Sequence, residues 1–222
     1  MLTTLSDLLA PHYCCSCGEI GVVLCEYCKF DIVSQPFDRC IVCLGLSTDG
    51  TALCRRCQGV FTRAWCVGER VGALERLIDN YKFDRVGAAI YPLVAMLDEI
   101  LPEFAGVPTV VPVPTIAPHV RQRGYDHVAK LAALLARCRH LPYLSILERR
   151  TNTVQHEATK RQRRKQAAEA FVARQKLDGG VYLLIDDIYT TGATVEFAAR
   201  TLREAGAAEV WVAVFAHQPL EK

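Results

Sequence analysis

Two groups of residues in this chain have the types and the spacing that chemistry needs. The first is eight cysteines in four C-x-x-C pairs: Cys14/Cys17, Cys25/Cys28, Cys40/Cys43 and Cys54/Cys57. A C-x-x-C turn points two thiolates at one ion, and two such turns complete a tetrahedral sulfur site of the kind that holds structural zinc. Sequential pairing puts Cys14, Cys17, Cys25 and Cys28 on one ion and Cys40, Cys43, Cys54 and Cys57 on another; an interleaved pairing also satisfies the spacing. A redox dithiol needs one such pair, not four, and nothing in the sequence signals the secretion that favours disulfides. Closed four-thiolate sites are structural, so no catalysis is assigned to them. Cys15 is read as a bystander, His12 as dispensable, and Cys66 and Cys138 as buried core thiols.

The second group lies in "VYLLIDDIYTTGAT", Val181 to Thr194. An apolar run reads as a buried strand, and ligand sites in parallel sheets lie beyond the carboxyl ends of strands. That places Asp186 and Asp187 at the right edge. The turn that follows leads into a helix, where free N–H groups and the positive helix end favour an anion. Gly192 and Ala193 let the backbone approach closely, and Thr190, Thr191 and Thr194 add hydroxyl donors. A monophosphate fits this cradle, whereas the carboxylates suit sugar hydroxyls. Together they ask for a ribose 5-phosphate group. The competing readings are an ordinary strand–turn–helix with threonine caps, and a Mg²⁺ site on the paired aspartates. The G-x-x-x-x-G-K-[ST] pattern of nucleotide triphosphatases is absent.

The elements that must hold these residues follow from composition and periodicity. The chain has 222 residues and eleven cysteines, ten of them before Val67. This step, over residues 58–64, divides a small cysteine-rich module (1–62), which we read as a double zinc ribbon, from a second part (63–222) suited to one α/β domain. A module of that size has a small core, so two metal ions would supply much of its stability. In the second part strand-like runs (64–72, 109–114, 143–147, 181–186, 209–217) alternate with helical patterns (73–83, 88–101, 127–138, 194–206). The alternation predicts a parallel sheet flanked by helices. Leucines at 2, 5, 8 and 9 have helical spacing. The net charge of +2 carries no global bias toward nucleic acid, so such binding rests on local patches. No apolar run reaches the length of a membrane span, and the N-terminus lacks the features of a signal peptide. A cytoplasmic location is expected.

Two basic stretches supply local charge. "KRQRRK" sets five cations in six residues: Lys160, Arg161, Arg163, Arg164 and Lys165. Arg149, Arg150, Arg121 and Arg123 are candidates to join them in neutralising phosphates, whether of pyrophosphate or of a DNA strand. The bland alternative is a solvated helix face balanced by Glu157 and Glu169. Tyr125 is read either as a base-stacking ring or as a residue packed inward, and His156 as incidental more readily than as a site residue.

"LLIDDIYTTGAT" resembles the phosphoribosyl-pyrophosphate motif of type I phosphoribosyltransferases. With the paired cysteines first, "VPVPTIAPHVRQRGYDHVAKLA" in the middle and "RRTNTVQHEATKRQRRKQAAEAF" before the motif, the chain resembles the ComF family over nearly all of residues 8–216. Two positions depart from the family pattern. Asp126 and His127 stand where an aromatic–Asn–Gln run is usual, and Gln166 stands where Asn is usual. The resemblance implies a phosphoribosyltransferase-like fold behind a double zinc ribbon, with Asp186 and Asp187 on the ribose hydroxyls and Thr190 to Thr194 on the 5-phosphate. It places the segment after "VPVP" near the pyrophosphate, with Mg²⁺ bridging. It also implies handling of incoming single-stranded DNA in natural transformation and, for some members, a helicase-like ATPase partner. Two other functions stay open: an active phosphoribosyltransferase with Asp186 and Asp187 as catalytic residues, and a zinc-ribbon adaptor between proteins.

Overall fold

The computed structural model describes residues 11–47, 50–149 and 171–218. Strands β1 (Arg63–Glu69), β2 (Thr109–Pro112), β5 (Val181–Tyr189) and β6 (Glu209–His217) form one parallel sheet in the order β1-β6-β5-β2. Strands β3 (Leu147–Arg149) and β4 (Phe171–Ala173) form a separate antiparallel pair. The four sheet strands are apolar almost throughout because helices cover both faces, the usual condition of parallel sheets.

The helices show why. Buried residues recur at i, i+3, i+4 and i+7 in α2 (Gly72–Lys82: Leu74, Leu77, Ile78, Tyr81), in α5 (His127–Cys138: Val128, Leu131, Ala132, Leu135) and in α6 (Ala193–Ala205: Val195, Ala198, Ala199, Leu202). That spacing gives each helix one apolar stripe. Helices α2, α3 (Ile90–Ile100) and α5 share a core with Trp65, Leu183, Ile185, Ala213 and Phe215. Helix α6 packs on the alternate residues Leu184, Val212 and Val214. The Asp126 carboxylate accepts from the Ala129 N–H at 3.0 Å and caps α5. Gly206, at φ +118°, closes α6 where a Cβ would lie 2.5 Å from the Leu177 carbonyl oxygen.

Helix α1 (Glu26–Val33), in the cysteine-rich segment, and α4 (Ala117–Arg123) were not expected from periodicity. Both are short, and α4 buries no side chain completely. The expected strand at 143–147 reduces to one bridge from Tyr143 to Val110 and the entry of Leu147 into β3. Leu2 to Leu9 lie outside the described residues.

The cysteine-rich segment straddles the β1 edge of the sheet. Cys14, Val23, Leu24, Cys25 and Cys28 join the core under α2, α3 and α5. Cys40, Ile41, Ala52, Leu53 and Phe61 join the core under α6. Between them the Ala52 N–H donates to the Ala64 carbonyl at 2.6 Å, so the outer side of β1 has a main-chain partner. Covering an edge strand this way removes an open template for pairing.

Ile41 is 1% exposed, so Ile41→Ala is expected to cost about 2–5 kcal/mol. Both tryptophans, Trp65 and Trp211, lie on sheet strands. Urea unfolding followed by their fluorescence should therefore report the destabilisation, although the substitution sits in the cysteine-rich segment.

Candidate functional site

The acidic pair sits at an interruption in β5. Up to Ile185 the strand alternates regularly, with Leu183 and Ile185 toward one core and Tyr182 and Leu184 toward the other. Beyond the acids the alternation shifts by one: Ile188 packs with the first core and Tyr189 with the second. The pairing with β6 skips Asp187, passing from Asp186↔Val214 to Ile188↔Ala216. The carboxylates serve the local backbone. Asp186 Oδ1 accepts from the Asp187 N–H at 2.9 Å, and Asp187 Oδ1 from the Ile188 N–H at 2.7 Å. The strand thus does not end at Ile185; it is perturbed there, and both acids line one cavity.

That cavity, of about 300 Å³, lies at the carboxyl edge of β2 and β5. Its walls include Thr115, His119 and Arg123 from the α4 region, His127 from the start of α5, Lys82 from the end of α2, Arg149 from the end of β3, and Thr194 from the start of α6. Lys82 Nζ and His127 Nε2 each lie 2.6 Å from Asp187 Oδ2. On the other side of the ring, His127 Nδ1 lies 3.0 Å from the Arg123 guanidinium and 3.4 Å from Thr115 Oγ1. Thr115 is held by Asp126, through Oγ1 to Oδ1 at 3.0 Å and through its N–H to Oδ2 at 3.2 Å.

This arrangement splits the two acids. Burial, then the neighbouring Asp187 charge, pushes Asp186 well above the usual carboxylate range. Burial also works against Asp187, but the His127 hydrogen bond and the Lys82 charge overcome it and hold that carboxyl below its usual range. One acid stays ionised beside cations while the other resists ionisation, as expected of two close carboxylates in a desolvated pocket. An ammonium already occupies Asp187 Oδ2, at the place a divalent ion on that oxygen would need.

Among the residues expected for the phosphate cradle, Thr194 lines the cavity. Thr190, Thr191 and Ala193 are exposed on the turn just outside it, and Gly192 is buried. Gly192 has φ +76°, and a Cβ there would lie 2.0 Å from the Tyr189 hydroxyl. At the start of α6 the Thr191 hydroxyl oxygen accepts from the Ala193 N–H at 3.4 Å. Arg123 lines the cavity; Arg121 is exposed and does not. Arg150, Lys160, Arg161, Arg163, Arg164 and Lys165 lie outside the described residues, as do Gln155, His156 and Gln166. Tyr125 packs inward, with its hydroxyl donating to the Tyr81 carbonyl at 2.9 Å.

Lys82 gave no signal in the sequence. It looked like the basic last residue of an amphipathic helix, and only the fold carries it to Asp187. His127 stood out as a departure from a family pattern but had no assigned partner.

The eight paired cysteines come together as two groups, Cys14/Cys17/Cys25/Cys28 and Cys40/Cys43/Cys54/Cys57, each with its sulfurs within 4.8 Å of one another. The pairing is sequential. Cys17 Sγ and Cys25 Sγ are 3.7 Å apart, and Cys43 Sγ and Cys54 Sγ 3.8 Å. A tetrahedron with zinc–sulfur bonds of about 2.3 Å has edges of about 3.8 Å, so each group is able to hold a zinc ion. In the second group Cys40, although buried, is drawn down to about 7 by backbone N–H groups of Cys54 and Cys43. Burial and the neighbouring sulfurs push Cys57 up to about 12. Thiols this close do not all ionise unless a cation joins them. Cys15 stays outside the clusters, directed at the Ala73 carbonyl. Cys66 is buried as expected, whereas Cys138, the last residue of α5, is exposed.

Residues 120–222 match the model of the phosphoribosyl transferase domain family. Over 198 residues the chain is 28% identical to Competence protein ComFC of Streptococcus pneumoniae (strain ATCC BAA-255 / R6), covering 84% of each. It is 27% identical over 206 residues to Competence protein F of Haemophilus influenzae (strain ATCC 51907 / DSM 11121 / KW20 / Rd), covering 85% of this chain and 88% of that protein. The chain is thus similar over most of its length to competence proteins of the ComF type. A third relative is DNA utilization protein YhgH of Salmonella typhi, 26% identical over 216 residues, with 85% of this chain and 94% of that protein covered. Matches over 84–85% of the chain extend well beyond residues 120–222.

Asp186→Asn should raise thermal stability near neutral pH. An acid whose folded-state pKa is raised loses stability as pH rises above its unfolded value of about 3.9, and Asn does not titrate. The variant's advantage should be absent below that pH and grow above it in melting curves taken at successive pH values.

Proposed function

We propose that this ComF-type protein binds 5-phosphoribosyl 1-pyrophosphate in the cavity at the edge of β2 and β5, and acts in DNA uptake by handling incoming single strands. The observation that carries the ligand reading is the convergence of an ionised acid with Lys82, Arg123, Arg149 and Thr194 around one opening. Asp186 and Asp187 would take the ribose hydroxyls. The turn from Thr190 to Thr194, at the start of α6, would take the 5-phosphate. Lys82, Arg123 and Arg149 would face the pyrophosphate, where Mg²⁺ would add charge neutralisation. The relatives named as competence and DNA utilization proteins support the second half of the reading, as does the cationic density of Lys160 to Lys165 in the sequence. A helicase-like ATPase and a cytoplasmic setting are part of the same proposal.

The charge separation between the two acids also supports a catalytic reading. Pyrophosphate would leave C1′ with the bonding pair, an amine or base would add at that carbon and lose its proton to solvent, and ionised Asp187 would stabilise the positive sugar between the two events. Residues 1–62 would form the double zinc ribbon, holding one zinc ion on each cysteine group, and residues 63–222 the phosphoribosyltransferase domain.

Calorimetry with phosphoribosyl pyrophosphate and Mg²⁺ tests the ligand. Arg123→Gln should weaken binding roughly 10- to 100-fold, as expected when one charge-assisted hydrogen bond is removed. Equal affinity in the variant would remove Arg123 from the site, and no binding by the parent chain would sink the reading. For DNA, the logarithm of the affinity for a short single strand should fall linearly with the logarithm of salt concentration. Replacing Lys160, Arg161, Arg163, Arg164 and Lys165 with Gln should flatten that slope by about 0.7 for every phosphate that is no longer neutralised; an unchanged slope would exclude the segment.

Metal analysis should give two zinc ions per chain, and Cys14→Ser should remove one. A metal-free chain with unaltered stability would refute the zinc assignment.

A further inference from the structure

His127 is 3% exposed and touches both the cationic and the acidic side of the cavity. A guanidinium can only donate. Its approach to Nδ1 at 3.0 Å therefore requires a bare lone pair on that nitrogen, which leaves the proton on Nε2, where it points at Asp187 Oδ2 at 2.6 Å. Thr115 Oγ1, the other neighbour of Nδ1, donates to Asp126 Oδ1. With the guanidinium donating to Nδ1, the ring carries its proton on Nε2 alone. Nδ1 cannot hold a proton while the guanidinium donates to it.

Arg123 is also a cavity-lining cation with no carboxylate partner among the described residues. Its guanidinium packs over the exposed ring of Phe83, 5.4 Å from the centroid. An anion entering the cavity would compete with His127 for this donor.

We propose that His127 is a positioning residue that couples anion binding at Arg123 to uptake of one proton. When a phosphate-type anion draws the guanidinium away, Nδ1 takes a proton from solvent, and the resulting imidazolium holds Asp187 ionised at the cavity edge. The atoms balance: one solvent proton is gained, the guanidinium keeps its charge, and the anion is bound. The proposal rests on the cavity being the phosphoribosyl-pyrophosphate site. It adds that filling the pyrophosphate end strengthens the grip on the acid at the ribose end.

The charged and titratable groups facing His127 are few. They are Asp126 on its own helix start, His119 and Arg123 on α4, Lys82 and Tyr81 on α2, Asp186 and Asp187 on β5, and Arg149 on β3. Lys82 pairs with Asp187 Oδ2 at 2.6 Å, whereas Arg123 meets the ring itself at Nδ1, so the coupling belongs to the Arg123 side of the ring.

The test uses the full chain with sulfate, an anion that does not itself titrate near neutrality, between pH 6 and pH 8. If one proton enters with each anion, the dissociation constant should rise with pH, by up to about tenfold per pH unit. His127→Gln should bind sulfate with no pH dependence, while His140→Gln, on an exposed residue outside the cavity, should keep the parental slope. Nitrogen NMR of histidine-labelled protein should show His127 protonated at Nε2 alone without anion and at both nitrogens with it. This second readout needs only the parental chain, so it stands if His127→Gln does not fold. Sulfate binding with an unchanged neutral ring would overturn the coupling and leave the ligand reading intact. Failure to bind either sulfate or phosphoribosyl pyrophosphate would overturn the ligand reading, and the coupling with it.

Discussion

Two carboxylates in one desolvated pocket cannot both be ionised cheaply, and the architecture of the site follows from that constraint. Asp186 and Asp187 are neighbours in sequence, and a regular strand would have sent them to opposite faces. The interruption in β5 brings both to one cavity and so creates the electrostatic conflict. The fold resolves it asymmetrically. Lys82 and His127 converge on one oxygen of Asp187, and Asp186 is left with a backbone N–H. Four separate elements, the end of α2, helix α4, the start of α5 and the end of β3, bring nitrogen groups to the same opening. A purely structural strand end has no need of that convergence.

The sequence made the linear parts of this plain. The strand–acid–turn run, the four cysteine pairs and most helices declare themselves through spacing over a few residues, and the helices bury the stripes their periodicity marks. Interactions between distant segments did not. Lys82 and Asp187 are an ion pair separated by most of the α/β region, and nothing near Lys82 distinguishes it from an ordinary basic helix terminus. His127 was visible only as an unexpected residue type. The shift in alternation within β5 was hidden because its cause is the capture of two N–H groups by side chains, a choice that no hydrophobic pattern records. Cys138 misled because cysteines favour the interior, whereas this one closes the exposed end of α5. The short helices α1 and α4 lack the length for a periodic signal.

The place of the cysteine-rich segment gives a physical reason for its presence in the same chain. It does not sit apart as a bead on a linker. One cysteine group joins the core under α2, α3 and α5, the other joins the core under α6, and the chain between them pairs with β1. A four-stranded parallel sheet has two edges to manage, and here one of them is closed by a segment whose own small core cannot hold it together unaided. Metal ions on the two cysteine groups would then stabilise the sheet edge as well as the segment.

The same packing reaches the turn that follows β5. Tyr189 ends β5 and belongs to the core that includes Cys40 and Ile41. Its ring stacks on His217 at 5.9 Å, and His217 in turn lies 5.4 Å from Phe37, between the two cysteine groups in sequence. At its other end the Tyr189 hydroxyl fills the space beside Gly192 that any larger residue would claim. The glycine in "TTGAT" therefore answers two demands, a left-handed backbone and room for a tyrosine that also packs toward the second cysteine group. A change in packing at that group would have to pass through a rigid, close-packed ring before reaching the turn. The turn's shape is set by the cysteine-rich segment as well as by its own threonines and glycine.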